Sequence, residues 1–65
     1  MKIVCVDNFN RDHIGDTLVC ENVSLNYALV IVDILNEKFG GEHSSDHFVI
    51  KSESYELYDP HGSMF

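Results

Sequence analysis

The chain has 65 residues, 45% hydrophobic and 23% charged, with eleven Asp and Glu against four Lys and Arg for a formal charge of −7. One domain is all this length allows: folding buries only about 60% of the surface an unfolded chain exposes, and so small a core supplies roughly 3–5 kcal/mol. The composition is too apolar for a disordered chain, and with no basic cluster anywhere, direct binding to a phosphate backbone is excluded from the expected activities.

Residues 2–6, KIVCV, form a short β-branched run that predicts a strand buried on both faces. Residues 17–21, TLVCE, predict a second strand. Cys5 and Cys20 lie inside these runs, where reduced cysteine acts as a small hydrophobe, and two cysteines are fewer than a small disulfide scaffold carries. The segment between them, DNFNRDHIGD, is too long for a two-residue hairpin and is rich in Asn, Asp and Gly, so it reads as an irregular connection between antiparallel strands. Its opening, VDNFNRD, reads as a structured turn. Asp7, Asn8, Asn10 and Asp12 suit hydrogen bonds to nearby amides, Phe9 can cover an edge of the core, and Arg11 can pair with Asp7 or Asp16. Phe9 and Arg11 are also the candidate loop contacts for a partner.

From Ser24 the period changes. Ser24 is a good N-cap, LNYALVIVDILNEKF contains no Gly or Pro, and Gly40-Gly41 supplies a left-handed terminator, which together predict a helix over 25–39. Ala28, Ile31, Val32, Leu35 and Phe39 recur at helical spacing and make the expected sheet-facing side, with Asn26, Asp33 and Glu37 on the wet side. Tyr27, Val30 and Ile34 fall on a flank of the polar stripe, away from the core face, and form the candidate partner interface. After the loop GEHSSD, residues 47–52, HFVIKS, predict a third strand with Phe48 and Ile50 on one face and Val49 on the other. Residues 55–58, YELY, either extend that strand or add a short fourth one. Asp59-Pro60-His61-Gly62 is a turn signal, and 59–65 is expected to be a flexible tail.

The expected fold is a single α+β domain over 1–65 with the order β-β-α-β, a mainly antiparallel three-stranded sheet with one helix on one face. Val4, Val6, Val19 and Val49 alternate with Ile3, Cys5, Leu18, Cys20, Phe48 and Ile50, so both sheet faces are partly apolar while only one helix is available. Association, as a homodimer or with another protein, is the economical explanation.

No polar spacing carries a catalytic pattern. His43 and His47 stand at H-x3-H spacing with Asp46 between them, but in a Gly- and Ser-rich loop and without a C-x2-C pair, so solvated loop histidines are expected of them and of His13 and His61. Ser44 and Ser45 near His43, His47 and Asp46 lack the separate elements that orient a triad. The expectation is no enzyme, no cofactor and no metal. A charged leader with an apolar stretch and a cleavage site is absent, as is any run of about 18 apolar residues, which points to a cytoplasm and no membrane.

The pattern VDNFNRD, then DTLVCEN, a helix ending in LN, and FVIKSESYELY resembles a group of small proteins encoded by bacteriophages and prophages. The similarity runs from Val6 to Tyr58. In those proteins the second strand tends to read LVAEN and the end VVK-P-D-D-Y-LY, so Cys20 and residues 52–54 depart from the usual pattern, and Cys20 stands where a small apolar residue is usual. The resemblance implies a phage or prophage origin in a bacterial cytoplasm and supplies no catalytic residues. The expected function is that of a non-enzymatic accessory protein that binds a host or phage protein through Tyr27, Val30 and Ile34. The alternatives are an acidic inhibitor that imitates nucleic acid before a host enzyme or defence system, and a metal-binding regulator using His43 and His47.

Overall fold

The computed structural model describes residues 1–60 apart from Asn10 and Asp12. The chain forms β1 (Lys2–Asp7), β2 (Thr17–Cys20), α1 (Leu25–Phe39) and β3 (Asp46–Lys51). The strands make one antiparallel sheet in the order β2-β1-β3. This is the expected α+β fold. The central strand is the β-branched run KIVCV, the segment best suited to burial on both faces.

The β1–β3 register is unbroken, from Lys2 opposite Lys51 to Asp7 opposite Asp46. The β1–β2 register slips: Ile3 faces Cys20 and Val4 faces Leu18, leaving Val19 as an extra residue between them. Such a bulge reverses the alternation beyond it. Leu18 therefore shares the face of Val4, whereas strict alternation along the sequence grouped it with Ile3.

Ile3 and Val4 are both fully buried although neighbours on a strand point to opposite faces, so the centre of β1 is covered on both sides. Ala28 and Phe48 complete the buried apolar core among the described residues. The second cover is the C-terminal segment, residues 52–60. Lys2 and Lys51, opposite each other and on the face of Val4, both reach Tyr55: the Lys2 ammonium donates to the Tyr55 carbonyl at 2.9 Å. The Lys51 ammonium lies 4.8 Å from the centroid of the Tyr55 ring. At the other end of the crossing, the backbone N–H of Asp16 donates to the Tyr58 carbonyl at 2.9 Å. The Asp16 carboxylate accepts from the Tyr58 N–H at 2.8 Å and from the Tyr55 hydroxyl. Gly15 permits this approach, since a Cβ there would lie 2.9 Å from Cδ of Pro60 and 3.0 Å from the Tyr58 carbonyl oxygen. The segment is a strap laid across the sheet, which leaves Ile3, Cys5, Phe48 and Ile50 for the helix side.

Residues 55–58 thus neither extend β3 nor add a fourth strand. A turn in which the Tyr55 N–H donates to the Ser52 carbonyl at 3.0 Å redirects the chain, and the later backbone groups bond to Lys2 and Asp16 instead of a strand ladder. The turn and tail expected over 59–65 lie outside the described residues from His61 onward, as do the local hydrogen bonds expected of Asn10 and Asp12.

The helix starts and stops where its sequence signals stand. Ser24 takes the N-cap position with extended backbone, φ −66° and ψ 151°, but its side chain makes no capping bond. Gly41 supplies the left-handed residue at φ 118°. α1 lies against β3, touches β1 lightly and, among the described residues, does not reach β2. Ala28 is buried and Ile31, Val32 and Leu35 are half-buried, but Phe39, expected on the core face, is 57% exposed. A helix placed over the outermost strand leaves its last turn with no sheet beneath it.

The resulting body is a slab, with principal extents of 34 × 29 × 12 Å and a radius of gyration of 12.1 Å. A compact chain of this length has a radius of gyration of about 11 Å, so the body is slightly extended along its two long axes. Domains ordinarily close a core between two packed layers. Here the sheet is one layer, with α1 against one face and the strap across the other.

Candidate interaction surface

At 100° per residue, Tyr27, Val30 and Ile34 stand 100–160° around α1 from the buried Ala28. They are 70%, 57% and 45% exposed. The half-buried positions hold α1 to β3, while the opposite side of the helix carries this apolar stripe with Lys38 at its C-terminal end and Asp33 and Glu37 beside it. Leu25 and Leu29 are also exposed, on the other flank. The sequence reading omitted them from the surface stripe, although the position of Leu29 on the wheel, next to Asp33, already sets it apart from the core face. Leaving one Val and one Ile in water forgoes roughly 2–4 kcal/mol, comparable with the stability of a domain this small.

Asn36 does what no periodicity predicted. Its side-chain amide donates to the Phe48 carbonyl at 2.9 Å, and the Phe48 N–H donates back to its Oδ1 at 2.9 Å. A helix side chain thereby satisfies both backbone groups of Phe48 on the outer edge of β3, as a neighbouring strand would. Gly40 keeps this possible, because a Cβ there would stand 2.9 Å from Asn36 Oδ1 and 2.8 Å from its carbonyl oxygen.

In the loop VDNFNRD, the described residues Asp7, Asn8 and Arg11 are held by hydrogen bonds and ion pairing. Arg11 pairs with Asp7 and not with Asp16: Nη2 donates to Oδ1 at 2.7 Å, Nε to Oδ2 at 3.0 Å, and the Arg11 backbone N–H to Oδ2 at 2.6 Å. The Asp7 side chain is only 5% exposed. These bonds from Arg11, with its charge, hold the Asp7 carboxyl well below the usual carboxylate range. The guanidinium also lies 5.4 Å from the centroid of the half-exposed Phe9 ring. Asn8 ties this loop to the one after α1, its side-chain amide donating to the Gly41 and Ser44 carbonyls at 3.0 Å each and its N–H to the Ser45 carbonyl at 2.8 Å. Of the two candidate loop contacts, Arg11 is already engaged within the chain and Phe9 offers a ring face.

A shallow depression of about 400 Å³ opens between Asn8, Asn36, Gly41, Glu42 and His47. Both asparagine side chains there are committed to backbone partners. His43 lies 3.7 Å from Glu42 at the surface, and among the described residues no three His, Cys, Asp or Glu side chains converge as a metal site would require. His61 lies outside them. Cys5 and Cys20 are free thiols. Burial, and next the charge of Asp46, push the Cys5 thiol above its ordinary value, which keeps it protonated and unreactive near neutral pH.

No family model, curated protein or solved structure matches the chain. Among the described residues no helix is long and apolar enough to cross a membrane.

Proposed function

We propose that the chain is a non-enzymatic binding protein that acts through protein–protein contact made by α1, with Tyr27, Val30 and Ile34 at the centre of the contact. The observation that carries this reading is the exposure of an apolar stripe on a helix whose opposite side already holds the sheet. The resemblance to small phage and prophage proteins supports an accessory role in a bacterial cytoplasm, with a host or phage protein or a second copy of the chain as partner.

The charge of −7 favours basic or neutral partner surfaces and disfavours nucleic acid. The test is capture from a bacterial host lysate by the tagged chain and by its Val30→Asp and Ile34→Asp variants, at low and at moderate salt. A partner held by the wild type at both salts and lost by both folded variants is the expected result. Retention that disappears with salt alone and ignores both variants would replace this reading with acidic mimicry of nucleic acid.

A further inference from the structure

We infer that the occupant of the α1 surface is a second copy of this chain, placed with the two helices antiparallel about a two-fold axis near residue 32. The inference rests on the reading of α1 as a contact surface and names its partner. The first argument is area. A contact confined to α1, about 22 Å long, falls short of the roughly 1,200–2,000 Å² that a stable interface buries. A broad side of the slab, 34 × 29 Å, presents on the order of 1,000 Å² per copy and brings the pair into that range. A folded body of this size can cover such a side, as a second copy would and a short peptide would not.

The second argument is that the stripe contains its own complement. Tyr27, Val30, Ile34 and Lys38 follow one another along one flank of α1 in steps of three or four residues. Antiparallel pairing about residue 32 sets Val30 against the partner's Ile34, and Tyr27 beside Lys38 of the partner subunit. Lys38 is the one cation of α1, and an ammonium over a Tyr face is a favourable contact. The same operation repeats both contacts, as a two-fold interface requires. Pairing of this kind removes the apolar stripe from water in both copies, so folding is coupled to it.

The experiment is sedimentation equilibrium of the untagged chain from micromolar to submillimolar concentration, with melting followed at each concentration. The expected result is a mass twice the 7.4 kDa of the chain and a Tm that rises with protein concentration. Lys38→Glu, at the surface and outside the core, is expected to weaken the dimer at least tenfold. A dimer indifferent to Lys38→Glu overturns the helix-to-helix placement. A monomer throughout, with a Tm independent of concentration, overturns the second copy; if Val30→Asp then abolishes capture of another protein, α1 remains a contact surface. If that variant changes nothing in such a monomer, both readings fail.

Discussion

Asn36 shows how a single polar side chain decides where an element sits. Its two bonds to the Phe48 backbone hold α1 against the outer edge of β3. Asn36→Ala would leave the part-buried N–H and carbonyl of Phe48 on the edge of β3 without these partners, and the expected loss is about 1–3 kcal/mol in urea unfolding. Asn36→Asp keeps the acceptor but removes the donor and should fall between the two. Two residues further along, at the same end of the sheet, Asp7 makes stability depend on acid. Its carboxyl titrates below the ordinary 3.8 in the folded chain, so the stability it contributes is present above about pH 4 and is lost as pH falls toward the folded value. Asp7→Asn is expected to lower stability at pH 7 and to flatten the acid limb of a stability–pH curve; an unchanged limb would remove the Asp7–Arg11 pair as its cause.

Among the elements, the strap over 52–60 and the helix do the same work on opposite faces of β1. The strap has no ladder of its own and is anchored by Asp16, which receives the Tyr55 hydroxyl and the Tyr58 N–H. Asp16→Ala should therefore release it, uncover the face of Val4 and lower stability by about 1–3 kcal/mol, with faster amide exchange at Tyr58 as the local readout. The helix was legible because its signals are local: a cap residue, fifteen residues free of breakers and a glycine pair. Its placement was not legible. Phe39 belongs to the core face by its angle on the wheel, but no rule of periodicity states that the helix would lie over an edge strand with Phe39 beyond the sheet. The alternation that assigned Leu18 to a face failed for a similar reason, because a bulge is set by pairing with β1 and not by the run TLVC alone.

At the scale of the whole molecule, a thin slab and a charge of −7 act against each other. The exposed apolar stripe favours association, while two copies of the same acidic body repel. Screening at 0.15 M salt shortens that repulsion to about 8 Å, so self-association is expected to tighten as salt rises from 50 to 500 mM. Capture of a basic partner would weaken over the same range. The salt response measured by sedimentation thus separates a second copy from a basic protein on physical grounds.

The sequence by itself determined the strands, the helix, their order and the surplus of apolar residues on α1, because each depends on neighbours within one or two turns or along one strand. It also contained the loop chemistry around Asp7 and Arg11, whose partners lie four residues apart. Only the tertiary structure decided that β1 is central, that Asn36 closes the edge of β3, and that the C-terminal segment straps the second face. Those contacts join residues 12 to 53 positions apart, and they are selected by which backbone groups and apolar faces remain unsatisfied once the local elements have formed.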